Sequence, residues 1–150
     1  MKRPLLSLLA IAAAIAFSAN ALAASSITNI KTTLRALPPS YRGPCPAAVI
    51  FRGMFVITGT IDPQHPVQIG YQLMSSDHTA GPISYFMITA PGGYSADVAQ
   101  SYGAPVQSAD ASTRFTGWQQ LKVWPTSHEG SYGYSFSPMT TYNVNCIPKP

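Results

Sequence analysis

The feature that most constrains this chain of 150 residues is a pair of cysteines at opposite ends of its predicted folded region. Cys45 stands in the kinked run of residues 41–46, directly before a long apolar stretch, and Cys146 lies near the C-terminus. About 100 residues separate the two, so a bond between them would stabilise the fold by about 4–5 kcal/mol through loop entropy. Whether they pair depends on the redox compartment of the mature chain.

The N-terminal segment has the three parts of a secretory signal peptide. Lys2 and Arg3 form a basic start, residues 4–17 are uncharged and mostly apolar, and residues 21–23 form a small-residue cleavage site. The apolar run is shorter than the roughly 20 residues that a membrane-spanning helix needs. We therefore predict a cleaved signal peptide over residues 1–23 and no stable membrane span in the mature chain.

Cleavage would leave one domain, residues 24–150, in the periplasm or the external medium. In an oxidising compartment, two cysteines in one chain favour an intramolecular bridge, so we predict a Cys45–Cys146 disulfide. Two free thiols or an intermolecular bridge are the alternatives.

The composition favours short strands and turns. Only 9% of the residues are charged, against about 25% in an ordinary soluble domain, and 14 prolines and 11 glycines punctuate the chain. Loss of Lys2 and Arg3 would leave seven basic and five acidic residues. The seven are scattered, which is not the basic patch of a nucleic-acid-binding protein, so we expect no nucleic-acid partner.

Apolar residues recur in short stretches that turn signals separate, and none has a helical period. The predicted strands are residues 27–37, 47–60, 67–74, 83–90, 94–102, 115–124 and 132–146. This pattern predicts an all-β fold, an immunoglobulin-like antiparallel β-sandwich of about seven strands, with a small barrel as the alternative. We expect the first strand at an edge, protected by Lys31 and Arg35, and the second in the centre with both faces covered. Gly53 in that second strand indicates a bulge or a closely packed neighbour.

No constellation of catalytic or metal-binding residues stands out. His65, His78 and His128 lie in turn-like segments beside acidic residues, but their spacing matches no local metal motif. The chain has no G-x-S-x-G sequence, and its five acidic residues single out no catalytic pair. We therefore predict a protein without enzymatic activity, cofactor or metal.

The tryptophans are the best candidates for a binding surface. Trp118, Lys122 and Trp124 share one parity on their strand, opposite Leu121 and Val123, so an inward Leu121 and Val123 would turn both tryptophans outward. Exposed tryptophans can stack on sugars or anchor a protein partner. We take Trp118, Lys122, Trp124 and the loop residue His78 as candidate binding residues.

Simple packing is the alternative for these aromatic residues. Trp118 would then cap the core, and Trp124 would lie under the turn that begins at Pro125. For a second stripe, formed by Tyr132, Tyr134 and Phe136, we predict core positions, because large aromatic side chains are mostly buried.

Several motifs resemble a family of bacterial exported immunoglobulin-like domains with a GPCP entry and a late cysteine. The most specific are Gly-Pro-Cys-Pro at residues 43–46, Gly-Trp-Gln-x-Leu at 117–121 and the two cysteine positions. The chain departs from the family pattern at His78, where the family has glycine, and at residues 138–141, which lengthen the last stretch. The resemblance implies a sandwich, a cysteine bridge, an extracytoplasmic role and no catalytic activity.

The function predicted from these features is binding or structural support by a non-enzymatic exported domain, in the cell envelope or outside the cell. Its partner would be a protein or a glycan. A carbohydrate-binding module is one alternative. An inhibitor of an exported hydrolase, presenting the loop of residues 75–82, is the other.

Overall fold

The computed structural model describes residues 25–103, 113–126 and 132–148, and in those ranges the chain is all-β without a helix. Nine strands follow one another there: β1 (Ser26–Leu37), β2 (Ser40–Gly43), β3 (Ala47–Thr60), β4 (Val67–Ser75), β5 (Ser84–Ile88), β6 (Gly92–Tyr102), β7 (Thr113–Pro125), β8 (Ser135–Phe136) and β9 (Thr140–Cys146). The predicted signal peptide lies outside the described residues. Nothing in those residues forms a helix of the length and apolarity that a membrane crossing requires.

The strands form two open sheets. The first has the order β1-β3-β6 and is antiparallel throughout. The second has the order β2-β9-β7-β4-β5, with β8 also paired to β7. One pair in the second sheet is parallel, because β2 runs alongside β9 in the same direction. The edge position predicted for the first strand is confirmed, since β1 pairs only with β3 among the described strands.

One hydrophobic core joins the inner faces of the two sheets. Alternation along each strand turns every second side chain inward, and the resulting cluster is buried from both sides. From the first sheet it takes Phe51 and Phe55 of β3, and from the second it takes Ile69, Leu121 and Val144. Aromatic contacts cross between the sheets, as where the Phe55 and Phe86 rings lie 5.2 Å apart. The two sheets therefore pack on each other as layers, which is consistent with a sandwich.

Gly53 lies where the two layers approach each other closely. A methyl group at this position would lie 2.6 Å from Cδ2 of Leu121 in the opposite sheet and 3.0 Å from the backbone oxygen of Ala96. The predicted close neighbour of Gly53 is confirmed. The short contact explains why an otherwise β-branched and aromatic strand contains a glycine at its centre.

The strand count of seven was too low for two physical reasons. β2 spans only four residues, too few for a period-2 pattern to be read from sequence. The predicted last strand, residues 132–146, is divided into β8 and β9 by residues 137–139. Although it is short, β2 pairs with β9 along its whole length, from the Ser40–Asn143 pair to the Gly43–Cys146 pair, and forms one edge of the second sheet.

The prediction that β3 has both faces covered is wrong. β3 does lie in the centre of its sheet, between β1 and β6, but only one of its faces packs on the second sheet. The other face leaves Ile50, Met54 and Val56 exposed, with 55% of Met54 accessible to solvent. A strand with apolar residues at both odd and even positions is usually buried on both faces. In the part of the chain that the structure describes, only one face of β3 is buried.

The predicted disulfide is confirmed. Cys45 and Cys146 are bonded, and their Cα atoms lie 5.3 Å apart. Cys45 precedes β3 of the first sheet and Cys146 ends β9 of the second. The bond therefore ties the two layers together at one end of the molecule.

Candidate functional site

The outer face of the second sheet carries aromatic side chains on β5 and β7, on either side of a glycine of β4. The register of β4 places Gly70 opposite Tyr85 of β5 on one side and opposite Trp124 of β7 on the other. The inward neighbours of Trp124 on β7, Leu121 and Val123, are fully buried. The indole of Trp124 is therefore on the outer face, as its parity predicted, and it is half-buried there.

Gly70 allows Trp124 to lie across the neighbouring strand. A methyl group on Gly70 would come within 2.6 Å of Cε2 and 2.7 Å of Cζ2 of the indole. Any larger residue would have to push the ring away from the sheet. The indole thus rests on the backbone of β4, and packing against Gly70 accounts for its half-buried state. The packing alternative for Trp124 named the turn at Pro125 as its partner, whereas the contact that the structure shows is with Gly70 of β4.

The prediction that Tyr132, Tyr134 and Phe136 belong to the core is wrong for two of the three. Tyr134 is 60% exposed and Phe136 is 50% exposed, because β8 pairs with β7 in a register that sets Phe136 beside the outward Lys122. Tyr132 is half-buried against the core, and its hydroxyl donates to Oδ1 of Asn29 at 3.2 Å. The chain after β7 therefore adds aromatic surface to the outer face.

These residues enclose an open cleft of about 490 Å³ at the end of the second sheet. We call it the aromatic cleft and define it by Gln68, Tyr85, Trp124, Thr126, Tyr132 and Tyr134. The rings of Trp124 and Tyr134 meet edge to face, with centroids 5.8 Å apart. Small-molecule sites commonly have a volume of about 300–1,000 Å³ and aromatic walls with a few polar groups, and this cleft has both properties.

Lys122 supports the aromatic wall of the cleft. Its ammonium nitrogen lies 3.7 Å from the centroid of the Tyr134 ring and 5.2 Å from that of Trp124. A cation over an aromatic face is attracted by the ring quadrupole, by about 0.5–1 kcal/mol at an exposed site. Lys122 therefore holds the two rings in their relative orientation and adds a positive charge beside the cleft.

Polar groups at the floor of the cleft are oriented by hydrogen bonds. The Thr126 hydroxyl donates to Oε1 of Gln68 at 2.8 Å, and the backbone N–H of Thr126 donates to the Gln68 carbonyl at 2.9 Å. Because Oε1 of Gln68 accepts the bond from Thr126, the orientation of the Gln68 side-chain amide group, including its nitrogen, is set. The cleft thus combines aromatic stacking surface with an amide group in a set orientation.

The four predicted binding residues do not form one site. Lys122 and Trp124 lie at the aromatic cleft, whereas Trp118 is six residues earlier on β7, about 20 Å away along an extended strand. Trp118 pairs with Thr141 of β9, and its carbonyl accepts the N–H of Ser76. The loop that contains His78 therefore lies beside Trp118, at a distance from the aromatic cleft.

That loop is shaped by local hydrogen bonds. Oδ1 of Asp77 accepts both the N–H and the hydroxyl of Thr79, at 3.0 and 2.6 Å, and these bonds lower the pKa of the Asp77 carboxyl. His78, at the tip, has φ of 62° and is exposed. No group of three histidine, cysteine or acidic residues able to hold a metal ion occurs in the described ranges, and His128 lies outside them.

The sequence alone did not identify Tyr85 and Gln68, which line the aromatic cleft, or Gly70, on which the Trp124 indole rests. Each lies on the outer face of its strand, whereas the apolar residues that identified the strand lie on the inner face. For Tyr85, the signal that could have found it is the exposed parity of residues 83–87, where Ile83, Tyr85 and Met87 alternate with smaller or inward residues. For Gln68 and Gly70, it is the outward parity of β4. Their meeting with Trp124 depends on strand register, which a single sequence does not show.

Comparisons with protein-family models, with curated proteins and with solved structures find no match for this chain. The residues of the aromatic cleft and their geometry are therefore the basis on which a function can be argued.

Proposed function

We propose that this chain is an exported, non-enzymatic binding domain with an immunoglobulin-like sandwich, and that its aromatic cleft binds a carbohydrate. The proposal combines three parts: export, architecture and ligand class. The observation that carries it is the cleft itself, where Trp124, Tyr134 and Tyr85 present aromatic surface beside the amide of Gln68.

Export is supported by the signal-peptide pattern of residues 1–23 and by the disulfide. A bond between Cys45 and Cys146 persists in oxidising compartments and is rare in the reducing cytosol. The periplasm and the external medium both meet this condition, and the proposal covers either.

The immunoglobulin-like architecture is supported by the strand order. In immunoglobulin domains, strands A, B and E share one sheet, while C, F and G, with C′ in variable domains, share the other. The order β1-β3-β6 corresponds to A-B-E, and β9-β7-β4-β5 corresponds to G-F-C-C′. The disulfide differs from the B–F bridge of antibody domains, because it links the entry to β3 with the end of β9.

A carbohydrate is the ligand class that the cleft favours. The apolar C–H face of a sugar ring packs on an aromatic ring, and its hydroxyl groups pair with amide and hydroxyl groups at the rim. Tyr85 is 54% exposed and Tyr134 is 60% exposed, so both offer surface that the sandwich does not use for its own packing. The volume of about 490 Å³ suits one or two sugar rings.

The test is a screen of the mature domain, residues 24–150, on an array of bacterial-envelope and host glycans, followed by titration calorimetry with the strongest soluble hit. We expect Trp124→Ala to weaken binding at least about 10-fold, because a buried aromatic anchor of a binding site typically contributes 2 kcal/mol or more. The matched control is Trp118→Ala, which removes the same side chain from the same face of the same strand. This variant should bind within about twofold of the parent.

Two results would contradict the carbohydrate proposal. One is a domain that binds no glycan on the array while Trp124→Ala abolishes capture of a specific envelope protein, which would identify the cleft as a protein-binding site. The other is glycan binding that Trp118→Ala reduces and Trp124→Ala does not. Circular dichroism of each variant must match that of the parent for the comparison to count.

A further inference from the structure

A second candidate binding surface, separate from the aromatic cleft, lies on the first sheet, on the outer face formed by β1 and β3. The register there places Arg35 directly opposite Arg52. The row on one side pairs Leu37 with Ile50, and the row on the other side pairs Thr33 with Met54. A basic pair therefore lies between two rows that contain exposed apolar side chains.

The positive charge of this pair is only partly neutralised. Arg52 is bonded to Asp97 of β6, with its Nη2 atom 3.0 Å from Oδ2 and its Nε atom 3.1 Å from the same oxygen. Among the described residues, Arg35 has no carboxylate within 4.0 Å. Like charges directly opposite each other on neighbouring strands are destabilising, so an anion beside Arg35 would relieve a repulsion built into the sheet.

The same residues line a groove of about 550 Å³. We call it the arginine groove and define it by Leu34, Arg35, Leu37, Arg52, Met54 and Pro138. Pro138 comes from the segment between β8 and β9, so one wall of the groove is supplied by a connection between two strands of the second sheet. Leu37 and Met54 are 40% and 55% exposed, although they face a concave surface. A volume of this size lies within the usual range for small-molecule sites.

We propose that the arginine groove binds a fatty acid, with the carboxylate on Arg35 and the alkyl chain extending to one side of it, over Met54. A guanidinium group matches a carboxylate with two parallel hydrogen bonds, and the apolar walls favour a chain of methylene groups. A small inorganic anion would leave the apolar walls in water, and a neutral lipid would leave Arg35 without a counter-charge. The proposal concerns the opposite sheet from the aromatic cleft and does not depend on carbohydrate binding.

The test uses sodium dodecanoate below its micelle concentration, titrated into the mature domain and followed by calorimetry and by amide chemical shifts. We expect saturable binding with shifts confined to β1, β3 and residues near Pro138. Shortening the probe to decanoate should weaken binding, by up to about fourfold for each methylene group removed. Dodecanol, which has the same chain without the charge, should bind at least about tenfold more weakly.

The decisive variant is Arg35→Gln, which keeps much of the side-chain stem and removes the charge. It should weaken dodecanoate binding at least about tenfold, while leaving any binding of glycan at the aromatic cleft unchanged. The matched control is Lys31→Gln, which removes one positive charge from the same face of β1 outside the groove. Lys31→Gln should change affinity by less than about twofold, because exposed charges at this distance are screened by salt.

Three outcomes would overturn the proposal. Equal affinity for dodecanoate and dodecanol would show that Arg35 does not recognise the carboxylate. Unchanged binding by a folded Arg35→Gln variant would lead to the same conclusion. Binding to anionic phospholipid vesicles without binding of monomeric dodecanoate would identify this face as a membrane-contacting surface instead of a fatty-acid site.

Discussion

Asp62 and His65 form a hydrogen-bonded contact at the turn between β3 and β4. Oδ2 of Asp62 lies 2.6 Å from Nδ1 of His65, and Oδ1 accepts the backbone N–H of Gln64 at 2.9 Å. The bond to His65 and the bond to Gln64 both stabilise the ionised carboxylate, so they lower the pKa of Asp62 below its ordinary value of 3.8. A carboxyl group with a lowered pKa stabilises the fold at pH values above its unfolded pKa and loses that contribution as the pH falls through its folded pKa.

We predict that His65→Ala raises the pKa of Asp62 towards 3.8, because it removes the larger of these two stabilising bonds. The measurement is the chemical shift of the Asp62 side-chain carboxyl carbon between pH 2 and pH 6. Asp77 serves as the control, because its pKa is lowered chiefly by Thr79, and its midpoint should not move in the variant. An Asp62 midpoint that is the same in both proteins would contradict the assignment of the shift to His65.

At the scale of single elements, a buried serine maintains the hydrogen bonding of β7 where the last strand is interrupted. Ser137 lies between β8 and β9 and is 2% exposed. Its hydroxyl oxygen accepts the N–H of Leu121 at 2.9 Å, and its own N–H donates to the Leu121 carbonyl at 2.9 Å. The side chain thereby replaces a backbone acceptor that a continuous strand would have supplied.

Ser137→Ala should destabilise the domain by about 1–3 kcal/mol, because it leaves the buried N–H of Leu121 without an acceptor. Urea unfolding of the oxidised protein measures this difference. Ser101→Ala is the matched control, since Ser101 is exposed on β6, and its effect should remain within about 0.5 kcal/mol. If both variants unfold at the same urea concentration as the parent, the hydroxyl of Ser137 does not have the role described.

At the scale of the whole molecule, one covalent bond closes almost the entire described chain. Cys45 and Cys146 are 101 positions apart, and between them lie strands β3–β9, which is every strand except β1 of the first sheet and β2 of the second. Most of the chain is therefore tethered in the unfolded state, where the bond removes conformational entropy.

We predict that the double variant Cys45→Ser, Cys146→Ser is less stable than the oxidised parent by about 4–5 kcal/mol in the loop-entropy account. Guanidinium unfolding of the two proteins measures the difference. Addition of dithiothreitol should lower the stability of the parent to that of the double variant and leave the variant unchanged. Equal stability of the oxidised parent and the variant would mean that the unfolded chain is already compact or that the bond strains the native fold.

Most of the fold could be predicted because its signal is local. Apolar stretches without a helical period, bounded by turn signals, identified β1, β3 and β4 to within one or two residues, since such a signal requires only neighbouring positions. β2 was missed because it is too short for a period, whereas β8 was predicted as part of one longer last strand. The segment around β8 also shows that residue type alone does not predict burial. Tyr134 and Phe136 are aromatic, as core residues often are, but the register of β8 on β7 turns this segment's aromatic side chains outward.

The candidate site was predictable only in part for the same reason. Parity on β7 identified Lys122 and Trp124 as outward residues, but it also selected Trp118, which lies at a distance from the cleft. Their neighbours across the sheet, Tyr85 and Gly70, are brought to Trp124 by the pairing of β4 with β5 and β7. Nothing within one strand encodes which residue of another strand will lie beside it.

By itself, then, the sequence determined the all-β class, the central position of β3, the pairing of the two cysteines and the outward face of β7. The strand properties depend on residue type and on the spacing of near neighbours, and the cysteine pairing follows because a chain with two cysteines allows one intramolecular bridge. The tertiary structure alone decided that β2 runs parallel to β9, that the outer face of β3 is exposed, and that Arg35 lies opposite Arg52. These properties depend on the order and register of strands far apart in sequence, which the packing of the whole core selects.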